Sequence, residues 1–158
     1  ESGQQKVKGF EVDIRGQIFN NLDLILNYAF TEGKTTKDSN ASLIGTQVPG
    51  STKHIQNAWL NYKIDKGTLS GVGVSLGYQY QVKRAPWFIS TGNTASLPDY
   101  FRVDGGLSYQ RKKVTINLTV NNILNKYLYS GGYYSYTDMY YWQAEAGTNA
   151  RVTVAYKF

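Results

Sequence analysis

Two acidic side chains at alternate positions, near the start of the sequence, are candidate catalytic groups. Glu11 and Asp13 would share one face of a strand, and paired carboxylates can act as general acid and base. Arg15 continues the same alternation, which is more typical of a lattice of ion pairs. We therefore expect these charges to grip a neighbouring structure or bridge strands, and we predict no catalytic residue among them.

The single histidine, His54, follows Ser51 and Thr52 and could belong to a serine hydrolase. The sequence offers no complete triad around it, so a solvated histidine is expected. The chain contains no cysteine, which excludes thiolate metal sites, disulfides and cysteine nucleophiles. We predict neither enzymatic activity nor a metal held by protein side chains.

A group of glycines superficially resembles a phosphate-binding loop. Gly71, Gly73 and Gly77 would all lie on one face of a strand, and no helix follows them. Their spacing therefore predicts close packing against something on that face.

Aromatic residues are concentrated late in the chain. The stretch YLYSGGYYSYTDMYYW, from Tyr127 to Trp142, contains seven tyrosines and a tryptophan, and Trp87 and Phe88 lie together in RAPWFIS. Such rings could form a wall for a ligand, a belt at a membrane surface, or the packed interior of a loop.

The elements that position these residues are strands, because apolar side chains recur with a period of two. In the clearest case, apolar residues at alternate positions from Val72 to Val82 oppose small or polar residues. The pattern occurs in seven segments, and no helical pattern competes with it. It predicts an all-β antiparallel fold.

The connections between these strands alternate strictly between short and long. Short polar turns follow Ile18 and occupy 65–71 and 111–113, whereas 32–51, 84–98 and 126–141 are long. All long connections then leave one end of the sheet, as in outer-membrane β-barrels. Aromatic residues near strand ends on the apolar face also favour a membrane barrel over a soluble sandwich.

The polar face would then line the barrel lumen. The residues expected to face the lumen or an internal plug are Glu11, Asp13, Arg15, Arg102, Asp104 and Arg151. Single-chain bacterial barrels have an even strand number, so seven strands cannot close alone. We expect either one part of a larger barrel or an undetected eighth strand.

Composition excludes other classes. No run approaches the roughly 18 to 20 apolar residues that a membrane helix needs. The 17 Lys and Arg give a net charge of +6 but are scattered, so nucleic-acid binding is not expected.

Five segments, in order, resemble the final part of TonB-dependent siderophore receptors. They are VKGFEVDIRGQI, VPGSTKHIQNAWLNYKI, LPDYFRVDGGLSYQ, INLTVNNILNKYLYSGGYY and ARVTVAYKF. The family's pattern includes an LPxYxRVD strand and a last strand ending in Phe, here Phe158. Thr153 departs from it, where outer-membrane proteins commonly carry glycine.

The resemblance implies a 22-stranded barrel of the bacterial outer membrane, filled by a plug and importing a ferric siderophore with energy delivered through TonB. Residues 1–158 would supply about seven C-terminal strands, with the plug and earlier strands outside this chain. Implied partners are the rest of the receptor, the TonB complex, lipopolysaccharide with outer-membrane lipid, and the barrel-assembly machinery, which would recognise the strand ending at Phe158.

Residues on the long loops are the candidates for contacting the siderophore, because capture begins outside. They are Trp87, Phe88, Tyr133, Tyr134 and Tyr136, with Lys83 and Arg84 attracting an anionic chelate. The siderophore itself would ligate the iron. A passive porin-like channel, a small adhesin-type barrel and a soluble ligand-binding sandwich remain as alternatives.

Overall fold

The computed structural model describes residues 3–87, 96–134 and 139–158, with Tyr134 and Tyr140 described through their backbone alone. Within these ranges the chain forms nine strands. They are β1 Gln4–Phe19, β2 Leu22–Lys37, β3 Thr52–Lys63, β4 Val72–Arg84, β5 Tyr100–Arg111, β6 Val114–Asn121, β7 Tyr129–Tyr134, β8 Tyr140–Ala144 and β9 Asn149–Tyr156. A 3-10 turn at Ala41–Leu43 lies between β2 and β3.

In the described residues, seven strands form one antiparallel sheet in the order β1-β2-β3-β4-β5-β6-β9, which we call the main sheet. Each strand pairs with its neighbour along the chain except where β9 joins β6. The predicted all-β antiparallel architecture is confirmed. Short turns join the strands at one end, and the long connections lie at the other, which we call the long-loop end.

The hairpin β7–β8 was not predicted. It forms a separate two-stranded sheet inside the connection between β6 and β9. Its strands are rich in tyrosine, which favours β structure, but the glycines and consecutive rings break the apolar alternation from which strands were read. Because it pairs with itself, it does not supply an eighth strand to the described main sheet.

The main sheet leaves its apolar face exposed. Phe10, Ile14, Leu76, Leu107 and Val154, which lie on this face, are between 49% and 65% exposed. A soluble sandwich would bury one face of the sheet against a second layer. Exposure of a continuous apolar face instead fits contact with lipid hydrocarbon.

Two rows of rings border this face. Near the long-loop end, Phe10 lies 5.8 Å from both Tyr28 and Phe30, and Tyr80 lies 6.1 Å from Phe101, between ring centroids. Tyr109 and Tyr156 lie near the short-turn end. Phe101 and Tyr109 are separated by roughly eight residues, which corresponds to about 20 Å along the membrane normal for a tilted strand. This arrangement matches the aromatic girdles of membrane barrels.

The buried apolar side chains of the described residues lie away from the centre of the main sheet. They are Ala85, Leu97, Tyr100 and Leu128, all at the long-loop end. The small interior of this chain therefore lies beneath the loops. No helix in the described ranges is both long and apolar enough to cross a membrane.

The glycines of β4 make room for neighbouring side chains of the main sheet itself. A Cβ on Gly77 would overlap the indole of Trp59, and one on Gly73 would overlap the Ser108 hydroxyl. Trp59 therefore lies across Gly77 on the polar face. This explains why a large ring interrupts the polar alternation of β3.

We expect Gly77→Ala to destabilise the main sheet, because the added methyl group must displace the Trp59 ring. The expected loss is about 1–3 kcal/mol of unfolding free energy, as for overpacked sites. Urea unfolding in detergent, followed by the loss of heat-modifiable gel mobility, measures it.

Gly16→Ala is the matched control, because a Cβ on this β1 glycine meets nothing within 4 Å. It should be neutral or slightly stabilising. Equal losses in the two variants would contradict the packing of Trp59 on Gly77.

Candidate binding site at the long-loop end

Backbone hydrogen bonds join the long connections to one another. The Gly50 amide donates to the Pro86 carbonyl at 2.8 Å, and the Trp87 amide donates to the Gly132 carbonyl at 2.8 Å. The first bond links the β2–β3 connection to the segment after β4, and the second links that segment to β7. The loops are therefore one connected layer above the main sheet.

Arg84 hydrogen-bonds two of these connections with its side chain, from beneath the layer. Its side chain is only 5% exposed, and its guanidinium donates to the carbonyls of Pro98 at 3.1 Å, Tyr129 at 2.7 Å and Ser130 at 3.1 Å. The same group lies 5.3 Å from the centroid of the Tyr100 ring. Arg84 was predicted to attract an anionic ligand. Its surroundings instead direct its donors into the fold, where they hold the start of β7.

Glu145 fastens the other side of the hairpin to β5. Its carboxylate accepts a hydrogen bond from the Tyr100 hydroxyl at 2.9 Å and faces the Arg102 guanidinium at 3.4 Å. Arg102 also pairs with Asp104 at 2.9 Å. These partly buried charges are paired, so the low local polarity strengthens them without leaving an isolated ion.

Asn122 connects this network to the loop after β6. Its structural role was not predicted from the sequence. Asn122 is 1% exposed, and its backbone amide donates to the Asp104 carboxylate at 2.8 Å. Its side chain accepts from the Lys126 amide and donates to the Lys126 carbonyl, while Thr148 donates to its carbonyl at 2.7 Å. Its φ of +51° is a left-handed conformation that asparagine tolerates. The Asn pair that ends β6 was the available signal.

The six charged residues predicted to face the lumen all lie on the polar face of the main sheet. Arg102 and Asp104 form the ion pair on β5 described above. On β1, the Asp13 carboxylate accepts from the Asn27 side-chain amide, and Glu11 and Arg15 occupy alternate positions beside it. Arg151 on β9 borders a shallow depression. Contact of this face with a plug stays a prediction.

The hairpin and its neighbour present aromatic rings to the surface. The rings of Tyr133 and Tyr141 are stacked, with centroids 4.8 Å apart and planes 12° apart. Trp87 lies over Gly131, where a Cβ would overlap the indole, and is 51% exposed. Trp142 packs 5.2 Å from Tyr129. We call Trp87, Tyr133 and Tyr141 the aromatic platform, because Gly131, Tyr133 and Tyr141 share one face of the hairpin, whereas Trp142, opposite Gly132, lies on the other.

The structure describes only some of the other residues that were predicted to contact a ligand. Lys83 is exposed near the end of β4, and its carbonyl accepts from the Gln47 side chain at 2.9 Å. Phe88 and Tyr136 lie outside the described residues, and Tyr134 is described through its backbone alone. Ligand contact by these residues stays a prediction. Among the described residues no group of three or more His, Asp or Glu side chains is arranged to hold a metal ion.

Comparison with known proteins identifies relatives that match most or nearly all of this chain. A family model described as "TonB dependent receptor-like, beta-barrel" matches residues 1–123. The chain is 29% identical over 129 residues to an uncharacterised TonB-dependent receptor of Haemophilus influenzae, covering 78% of this chain and 37% of that protein. It is 27% identical over 167 residues to a probable TonB-dependent siderophore receptor, PiuA, of Acinetobacter baumannii, covering 99% of this chain and 21% of that one.

The fold gives the same relationship. The crystal structure of the siderophore receptor PiuA from Acinetobacter baumannii superposes with a TM-score of 0.79 and 26% identity, covering 99% of this chain and 22% of that chain. This chain thus spans between about a fifth and two fifths of the length of these relatives.

We expect Arg84→Gln to loosen the hairpin β7–β8, because it replaces a charged donor to three backbone carbonyls with a shorter neutral one. Hydrogen bonds to charged groups contribute about 1.5–3 kcal/mol, so amide exchange of β7 should accelerate by at least about tenfold. Hydrogen–deuterium exchange in detergent measures this, with the amides of β2 as internal reference.

Lys83→Gln is the control for this variant, because Lys83 is the residue next to Arg84 and its side chain is exposed. The Lys83 carbonyl, which accepts from Gln47, is unchanged by the substitution. Exchange in β7 should be unchanged there. Equal exchange in Arg84→Gln and the unsubstituted protein would show that Arg84 does not hold the hairpin.

Proposed function

Since this chain belongs to the TonB-dependent receptor β-barrel family, we propose that it is part of an outer-membrane active transporter that imports a ferric siderophore. Members of this family are transporters and not enzymes, and their barrels lie in the bacterial outer membrane. The siderophore is the substrate and carries its own iron. TonB is proposed as the energy-coupling partner, by membership of the family.

The observation that carries this proposal is the division of the main sheet into two faces. The apolar face is exposed between two rows of rings, and the opposite face carries the charged residues and small polar side chains. Lipid outside and an aqueous or plug-filled interior are the surroundings that suit these faces. A transporter barrel has both.

Further strands of the same receptor are the proposed partners of the edges. Within the main sheet β1 pairs only with β2, and β9 pairs only with β6. An edge with unpaired backbone groups is costly in hydrocarbon, so other strands of a larger barrel would complete these ladders. A plug would then contact the polar face, and the barrel-assembly machinery would recognise the β9 segment that ends at Phe158.

The aromatic platform is the proposed contact for the siderophore. Its rings offer a large surface and lose little conformational entropy on binding, and Lys83, four residues before Trp87, adds positive charge at the long-loop end. Phe88, Tyr134 and Tyr136 belong to the same connections and are proposed as further contacts. Arg84 acts here by holding the hairpin that carries Tyr133. The description of the relative PiuA as a probable siderophore receptor supports siderophores as the substrate class.

Binding of a ligand panel tests the substrate class. Ferric hydroxamate, catecholate and carboxylate siderophores are titrated against the receptor purified from outer membranes, with tryptophan fluorescence as the readout. We expect saturable binding of at least one class. If none bound while cobalamin or an oligosaccharide did, the transporter would keep its fold assignment but lose its proposed substrate.

Tyr133→Ala tests the platform. Removing one ring of the stacked pair should weaken binding of the recognised siderophore about tenfold, as for an aromatic residue central to an interface. Tyr62→Ala is the matched control, because Tyr62 is similarly exposed but lies at the short-turn end. A Kd unchanged by Tyr133→Ala would remove the platform from the binding site.

A further inference from the structure

The tripeptide Asn40-Ala41-Ser42 lies in the connection between β2 and β3, at the long-loop end. An asparagine followed two positions later by serine or threonine, with a residue other than proline between them, is the acceptor sequence of N-linked glycosylation. The sequence contains this pattern a second time, as Asn117-Leu118-Thr119 in β6. The structure places the two asparagines in very different surroundings.

The first tripeptide forms the tip of its connection. Backbone hydrogen bonds close the base of the tip, where the Thr35 amide donates to the Thr46 carbonyl at 3.0 Å and the Gly45 amide donates to the Thr35 carbonyl at 2.8 Å. All three residues of the tripeptide are partly or fully exposed. Because these contacts are local in sequence, the tip can form before the main sheet is complete. An exposed loop tip is open to a modifying enzyme.

The hydrogen bonds of Asn40 leave its side-chain nitrogen available. Its side-chain oxygen accepts from the Ser42 backbone amide at 3.1 Å and from the Ser42 hydroxyl at 2.7 Å. A backbone amide can only donate, so this contact fixes the oxygen toward Ser42 and turns Nδ2 away from it. In the part of the chain that the structure describes, Nδ2 donates no hydrogen bond. Nδ2 is the atom to which an N-linked sugar is joined.

Asn117 is held in the main sheet instead. It pairs with Ser108 on β5 and with Thr153 on β9, and it lies on the polar face. An enzyme could engage this tripeptide only by separating it from two hydrogen-bonded neighbours. A sugar on Asn117 would also project into the interior of the barrel. The structure therefore favours Asn40 over Asn117 as an acceptor.

We propose that Asn40 is a site of N-linked glycosylation, with a polyprenyl-diphosphate-linked oligosaccharide as the donor and an oligosaccharyltransferase as the enzyme. The bond from Nδ2 to the anomeric carbon forms while the bond from that carbon to the diphosphate oxygen breaks. The lipid diphosphate leaves with the bonding electrons, and Nδ2 loses one proton to a base of the enzyme. This inference depends on the outer-membrane location and is independent of the proposed siderophore.

Mass spectrometry of the receptor, purified from the outer membranes of its native host, tests this inference. Trypsin releases residues 38–53 as one peptide and residues 114–126 as another, because each range lies between lysines. We expect the first peptide to carry the mass of an oligosaccharide, which electron-transfer fragmentation should place on Asn40. The second, which contains Asn117, should have its unmodified mass. Finding residues 38–53 only at the unmodified mass, or a sugar on Asn117 alone, would overturn the assignment.

Variants of the tripeptide separate an N-linked sugar from one joined to a hydroxyl. Asn40→Gln removes the acceptor but keeps an amide, and Ser42→Ala removes the hydroxyl, so each should lose the added mass completely. Ser42→Thr keeps a hydroxyl and should retain it. Ser39→Ala is the matched control, because it removes an exposed hydroxyl just outside the tripeptide and should also retain the sugar.

Heat-modifiable gel mobility checks that each variant is folded and assembled. Added mass that persists in Asn40→Gln or in Ser42→Ala would overturn the proposal. Loss of the added mass in Ser39→Ala would also overturn it, since the sugar would then be joined to a serine hydroxyl.

Discussion

Every backbone amide and carbonyl of the main sheet needs a hydrogen-bond partner in a medium without water, and this requirement dictates the architecture. Hydrocarbon offers no partner to a free amide or carbonyl, so a spanning segment must pair within the protein. The ladder from β1 through β6 to β9 does this, and its antiparallel neighbours need only short turns at one end. Period-two alternation then assigns one face to lipid and the other to the interior.

At the long-loop end, backbone polar groups find their partners in side chains and not in a ladder. There the connections leave the ladder, and their polar groups are satisfied by a few buried or partly buried side chains. Arg84 serves carbonyls of two loops, Glu145 joins the hairpin to β5, and Asn122 organises the loop after β6. This network holds the backbone of the hairpin that carries the rings of the aromatic platform. Rings held in place in this way lose less entropy when they bind a ligand.

Local patterns predicted the parts of the fold that depend on local chemistry. The alternation from Val72 to Val82 needs no knowledge of distant residues, and β4 was found from it. Arg84 could not be assigned in the same way. A charged residue at the start of a loop resembles a ligand contact, and its burial depends on carbonyls at Tyr129 and Ser130, far along the chain. The hairpin β7–β8 was missed for a related reason, since consecutive tyrosines carry no periodic signal.

A cysteine scan of β4 tests whether the apolar face of the main sheet meets lipid. This chain contributes no cysteine of its own, so single substitutions from Val74 to Gln81 can be labelled one at a time in a receptor whose other cysteines, where present, are replaced. A fluorophore at Leu76 or Tyr80 should be quenched by a lipid-dissolved quencher and shielded from a water-soluble one, with the reverse at Ser75 and Gln79. Equal water access at both sets of positions would contradict the account.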